Sequence, residues 1–184
     1  MRKYDFNLKE FLYLTRFASK EPTRYYISGV WFAVNGDMVA TDGHRIGLFQ
    51  NGFVEHIEGE SGKEGLLIRW DKNALSILKK SKSEEASFEI EMGAESALIK
   101  TGDMIQALVY IDRCAYPDYK RVIPTGENKG CPALCLNPDY VSDFQFEKNT
   151  GVVFEFPNDN DNAPVRVKLT SKPDFVGALM PMRR

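Results

Sequence analysis

The chain reads as an α+β fold in which one pattern is written three times. Three short strand-like stretches, Tyr4 to Asn7, Leu66 to Asp71 and Ala133 to Asn137, each end in a helix-capping residue and run into helical periodicity. The starts lie about 65 residues apart, long for a solenoid but natural for a unit of one helix and several strands. After each helix come stretches of apolar and polar alternation broken by turn residues, which predict antiparallel strands.

The caps are Asn7, Asp71 and Asn137. A short side-chain oxygen at that position accepts from the free N–H groups of the first turn, and Pro138 suits the first helical position because it lacks that donor. In the first unit, strands are expected over Arg24 to Val34 and Met38 to Gln50, joined by Asn35-Gly36, a dipeptide that tolerates the positive φ of a tight hairpin. In the second, Ser87 to Met92, Ser96 to Thr101 and Met104 to Ile111 are separated by Gly93 and Gly102-Asp103. The third offers Val152 to Phe156, Val165 to Thr170 and Phe175 to Met180.

At 100° per residue the first helix carries Phe11, Leu12, Leu14, Phe17 and Ala18 on one broad side and Lys9, Arg16 and Lys20 on a narrow stripe, with Glu10 as a misfit. The second gathers Ala74, Leu75, Ile77 and Leu78 opposite Lys72, Lys79 and Lys80. With Arg24 these cations form a candidate DNA-binding set, since outward Lys and Arg follow phosphates without reading bases. On an isolated surface helix the same lysines serve solubility. The third helix argues the other way: Asp139 and Asp143 lie opposite Tyr140, Val141 and Phe144, and Glu147 follows. Either this unit does not line a DNA channel or the protein does not encircle DNA.

At 184 residues and 43% hydrophobic content the chain can bury a substantial core, and a net charge of −2 does not advertise nucleic-acid binding. Cys114, Cys131 and Cys135 lie in strand-like sequence, fit reduced thiols and point to the cytoplasm. The N-terminus has no apolar run of signal-peptide length, and no segment approaches the roughly 18 apolar residues that cross a bilayer. The expectation is a soluble cytoplasmic protein.

Three distant segments belong together: Arg24 to Gly47 (RYYISGVWFAVNGDMVATDGHRIG), Tyr116 to Pro124 (YPDYKRVIP) and the terminal Leu179 to Arg184 (LMPMRR). Jointly they resemble the bacterial DNA polymerase III beta subunit family, the sliding clamps. The resemblance implies a DNA-clamp-like fold in which two units make one domain and a full-length subunit carries six units. This chain has three, so it is expected as one complete domain (residues 1–115) followed by a connecting segment and half domain (116–184), lacking the family's first domain and half of its last.

The resemblance also implies a peptide-binding groove. Its positions are Ile27, Thr41, Gly43, His44, Arg45 and Ile46 from the first segment, Pro117, Arg121 and Val122 from the second, Asn137 and Tyr140 from the third helix, and Ala178, Met180, Pro181, Met182 and Arg183 from the end. Methionines suit such a pocket because they repack around varied anchors. Taken singly, His44 in the Asp42-Gly43 turn is also an ordinary turn histidine, Asn137 is also a helix cap, and Met180 and Met182 also fit a core or tail. Ala178 is smaller than the family's usual branched aliphatic, and Lys120 stands for a more common arginine, losing its planar fork.

The implied partners are DNA polymerase and other replication proteins, through clamp-binding peptides, with duplex DNA and further copies of the chain in a dimer or tetramer. The implied function is that of a processivity factor; the alternative is a non-ring mimic that competes for those peptides. Neither reading involves catalysis or a cofactor. Asn158 to Asn162 lacks the glycine and closing glutamate of a calcium loop, and Cys131 and Cys135, expected two pleats apart in the core, have no histidine near for zinc. His44 beside Asp42 has no nucleophile to serve, and no phosphate-cradling loop, nucleophile elbow or metalloprotease motif occurs.

Overall fold

In the computed structural model, residues 1–57, 65–91, 93–130, 134–158, 160 and 162–182 are described, and their strands form one continuous antiparallel sheet. The first unit comprises β1 (Arg2–Asn7), α1 (Leu8–Leu14), a 3₁₀ helix (Pro22–Ile27), β2 (Val30–Phe32), β3 (Met38–Thr41), β4 (Arg45–Phe49) and β5 (Phe53–Ile57). The second comprises β6 (Leu66–Arg69), α2 (Lys72–Leu78), β7 (Glu85–Ile90), β8 (Ser96–Thr101) and β9 (Gln106–Asp112). A second 3₁₀ helix (Tyr119–Arg121) leads to α3 (Pro138–Asp143), β10 (Val152–Glu155), β11 (Val165–Leu169) and β12 (Lys172–Leu179). The α+β class and the thrice-repeated helix and strands are as expected.

The three expected caps operate: Asn7 accepts from Lys9 and Glu10, Asp71 from Ala74 and Asn137 from Asp139. Gly36 sits at φ 89° in the hairpin between β2 and β3. Several local expectations are corrected. Arg24 to Ile27 is 3₁₀ helix, entered at Pro22, whose fixed φ favours a first helical position. Met38 to Gln50 is two strands, folded back at Asp42-Gly43. Met104 is a turn residue with φ 67°, so the strand begins at Gln106. α1 stops at Leu14, although Phe17 and Ala18 beyond it are buried as its periodicity requires. β5 was not foreseen, despite the alternation in Phe53 to Ile57.

The leading strand of the third unit is also corrected, because residues 134–137 form none. The reason lies in how leading strands are held. The sheet order is β10, β11, β12, β4, β3, β2, β6, β9, β8, β7, β1, β5. Hence β1 lies beside β7 of the second unit, with Tyr4 opposite Phe88, and β6 lies beside β2 of the first, with Ile68 opposite Val30. Each leading strand is completed by a sister unit, and residues 134–137 have none beside them. Cys135 is accordingly exposed rather than in the core; Cys131 and Ala133 fall outside the described residues, as do Met92, Asp159 and Asp161.

Two aromatic clusters organise the core. Phe32 of β2 meets Tyr4, Phe6, Phe53 and Phe88 from strands at the other end of the sheet order, so the sheet closes over its own interior. The second joins the third unit to the first: Tyr13 and Phe17, in and beyond α1, pack on Phe49, Phe144, Phe146 and Phe175. Glu10, the misfit on the first helix, is buried and receives Lys172 Nζ at 2.7 Å across this junction. Burial holds its carboxyl above the ordinary range, against the opposing pull of the lysine.

Candidate docking groove

The candidate site grows from the seam where β12 lies beside β4. Its first wall is the Asp42-Gly43-His44 turn. Asp42 Oδ1 accepts from the N–H groups of His44 (2.9 Å) and Arg45 (3.1 Å), and Thr41 Oγ1 accepts from Gly43 N at 3.1 Å. Gly43 has φ 90°, and a Cβ there would come within 2.8 Å of Arg24 Nη1, which donates to Asp42 O. The positive φ calls for glycine, while the Arg24 contact is with the end of a flexible side chain that can shift.

Arg45 fixes this turn to the third unit. Its buried guanidinium pairs with Asp42 at 3.2 Å and Asp143 at 2.5 Å, donates to Arg16 O at 2.8 Å, and lies against the rings of Phe17 and Tyr140. Such multiple engagement needs the planar, five-donor guanidinium. Tyr140 also stacks on His44, and Met180 N donates to His44 O at 2.9 Å, so the end of β12 closes on the same turn.

The second wall is the connecting segment. Tyr119 is buried, and its hydroxyl donates to Asp37 at 2.8 Å in the β2–β3 hairpin; burial, then that carboxylate, pushes its pKa upward. Tyr116 stacks on Trp31 with ring centroids 5.0 Å apart, and its buried hydroxyl has no hydrogen-bond partner among the described residues. Between the walls lies a cavity of about 240 Å³ with a floor of Ile27, Ile46 and Ala178, all buried, and with Val122 and Met180 at its exposed rim. An apolar trough edged by a few fixed polar groups is suited to an extended peptide with apolar anchors.

Of the expected groove residues, Ile27, Thr41, Gly43, His44, Arg45, Ile46, Pro117, Val122, Ala178 and Met180 line this cavity. Arg121 does not: its side chain is exposed and pairs with Asp118 at 2.9 Å. Asn137 caps α3 away from the lining, and Tyr140 supports it through His44 and Arg45. Pro181 and Met182 lie beyond it, where Met182 N donates to Cys135 O; Arg183 is outside the described residues. Arg24, expected on the DNA-facing set, lines the groove instead. Tyr26, Tyr116, Asp118, Tyr119 and Pro164 also line it and were not singled out from the sequence. For the two connecting-segment tyrosines, alternation around Pro117 was the available signal; for Pro164 there was none.

Among the other expected DNA-facing cations, Lys9 pairs with Glu84, and Arg16 donates to Gln145 O and lies over Tyr13. Lys20, Lys72, Lys79 and Lys80 are exposed and form no ion pair among the described residues. No metal-holding cluster of His, Cys, Asp and Glu occurs among the described residues, and no helix of the described structure is long and apolar enough to cross a membrane.

Over 132 residues, 70% of its length, the chain is 25% identical to the beta sliding clamp of Escherichia coli (strain K12), and over 126 residues, 66% of its length, it is 28% identical to that of Pseudomonas aeruginosa. The solved DNA polymerase III beta subunit of Thermotoga maritima matches the whole chain with a TM-score of 0.70 at 13% identity, over 66% of its own length. The chain is similar in sequence to the beta sliding clamps and shares their fold. A Caulobacter crescentus beta sliding clamp gives a TM-score of 0.68 at 21% identity, covering 99% of this chain and 65% of that one. No family model matches. The chain spans about a third of the length of the curated clamps it matches, 34% for the Escherichia coli protein. The clamp fold thus accounts for the repeated units.

Proposed function

We propose that this clamp homologue docks clamp-binding peptides of DNA polymerase and other replication proteins in the groove between β4, β12 and the connecting segment. The observation that carries this reading is the convergence of residues as far apart as Ile27, Val122 and Met180 on one apolar cavity. Arg24, His44 and Asp118 would fix the peptide backbone while Ile27, Ile46 and Ala178 receive its anchors. The role is non-catalytic: a cytoplasmic processivity factor, organised as a complete domain over residues 1–115 and a half domain over 116–184.

Duplex DNA is the second proposed partner, held without base readout by Lys20, Lys72, Lys79 and Lys80, the expected DNA-facing lysines that form no ion pair among the described residues. Phosphate contacts of this kind give an affinity whose logarithm falls with log salt by about 0.9 per contact. The engagement of Lys9, Arg16 and Arg24 within the protein, with Asp139 and Asp143 on α3, favours a second reading in which the groove works without encircled DNA, as a competitor for peptides.

Fluorescence anisotropy with a labelled clamp-binding peptide tests the groove. Met180→Ala with Ile46→Ala should weaken binding at least tenfold, and unchanged affinity in a folded variant would remove the groove from the function. Charge reversal at Lys20, Lys72, Lys79 and Lys80 should abolish DNA retention and leave peptide affinity intact. Native protein that never retains DNA leaves the competitor reading standing.

A further inference from the structure

The third unit is an open half, and the way the first two units complete each other specifies what closes it. In the complete domain the strand after each helix is covered by the sister's leading strand: β2 by β6 and β7 by β1. The inward residues of those strands are fully enclosed, Val30 at 0%, Phe32 at 1%, Ala86 at 5% and Phe88 at 0% exposure. β10 is the corresponding strand of the third unit, and its Val152-Val153-Phe154 stands where the second unit has Ala86-Ser87-Phe88, inward, outward and inward in turn. Yet β10 ends the sheet, Val152 and Phe154 are only half-buried, and Val153 is 41% exposed.

The neighbouring helix tells the same story. α3 buries none of its residues, whereas α1 buries Leu8, Phe11, Tyr13 and Leu14. Leu136, Tyr140 and Val141, like Val152 and Phe154, pack on the core only half-buried. A free strand edge flanked by apolar side chains calls for a partner strand. Between Asp112 and Pro138 the described residues contain no strand that could serve.

We infer that a second copy of the chain closes this face, with β10 of each copy pairing with the segment before α3 of the other. The third unit carries both halves of the required match: a strand edge open along β10 up to Phe156, which Asn128 and Lys129 of the same chain bond, and a leading segment with no strand beside it, held among the described residues by the bond from Met182 N to Cys135 O. A two-fold axis satisfies both at once, reproducing between copies what the first and second units do within one chain. The occupant is therefore a third unit of the same sequence. In the register of β7 on β1, where Ser87 lies two residues before the Asn7 cap in pairing (opposite Asp5), Val153 comes opposite the partner's Cys135. The inference is independent of what the groove binds.

Light scattering on the native full chain at micromolar concentration should give twice the monomer mass. Val141→Asp with Val152→Asp should return it to monomer mass while retaining a cooperative thermal transition. Val153→Cys should give a disulfide-linked dimer on a non-reducing gel, lost in Val153→Cys with Cys135→Ser. The cross-link reads the pairing even if the aspartate variant does not fold. A native chain of monomer mass, or a Val153→Cys variant whose cross-link is absent or independent of Cys135, overturns the inference.

Discussion

Gly177 lies directly opposite Gly47 across the β4–β12 seam, and the two glycines leave the space that the rings of Phe144 and Phe17 fill. A Cβ on Gly177 would stand 2.6 Å from Phe144 and 2.9 Å from Ile46 O, and one on Gly47 would stand 3.1 Å from Leu14 and Phe17. The rings themselves meet edge to face at 5.0 Å. Gly177→Ala should lower stability by about 1–3 kcal/mol through overpacking. The backbone at Ile46 cannot give way as a side chain can, so Gly47→Ala should cost less. Chemical denaturation of both variants measures the difference.

Arg45 is expected to be the most sensitive polar position. Arg45→Met removes the ion-pair partner of Asp42 and Asp143 and frees the Arg16 carbonyl; the two carboxylates left behind are partly exposed, so the loss should be about 1–3 kcal/mol, the cost of the stranded polar groups. Asp143 is itself 37% exposed, so Asp143→Asn should cost about 1 kcal/mol or less. Arg45→Lys should resemble the methionine variant more than the native chain, because one ammonium cannot reach three acceptors while lying flat between Phe17 and Tyr140. Thermal melts of the three variants give the order.

Tyr116→Phe removes a buried hydroxyl that has no partner among the described residues while keeping the ring stacked on Trp31. Its stability should be unchanged or raised by up to about 1 kcal/mol, since an unsatisfied buried donor carries a desolvation penalty. A fall in peptide affinity with unchanged stability would assign that hydroxyl to the bound peptide.

Glu10 gives the fold a pH dependence of defined sign. Its carboxyl is held above the ordinary range in the folded state, burial outweighing the Lys172 pair, so folding favours the protonated form. Its contribution is complete below the unfolded value of about 4.3 and is lost as pH rises through the folded value. Glu10→Gln does not titrate, so its stability relative to the native chain should rise as pH increases through that window. Lys172→Ala leaves a buried carboxylate unpaired and should be destabilising at neutral pH. Urea unfolding across the acid range reads both, and a relative stability of Glu10→Gln that falls with pH would mean that the lysine outweighs burial.

Local chemistry made much of this protein legible. The caps at Asn7, Asp71 and Asn137, the Asn35-Gly36 hairpin and most strand alternations depend on neighbours in sequence, and the structure repeats them. Ten of the sixteen expected groove residues line one cavity because the three segments carry their own turns and strand faces to the seam. What local sequence leaves open falls where a distant partner decides. Arg24 has the side chain of a phosphate contact, but its guanidinium reaches the Asp42 carbonyl. Cys135 sits in strand-like sequence, but a strand needs a ladder of bonds to a neighbour, and among the described residues Cys135 O takes only the one from Met182 N.

The amino-acid sequence by itself determined the repeated α+β unit, its helix starts and the residues available for a docking trough, because capping, turn geometry and alternation act within a few residues. Only the tertiary structure decided which cations are already engaged, which glycines face each other across the seam, and that the third unit stands half-covered. Those outcomes depend on which surfaces the folded chain brings within hydrogen-bond and van der Waals reach, and spacing along the chain does not encode that.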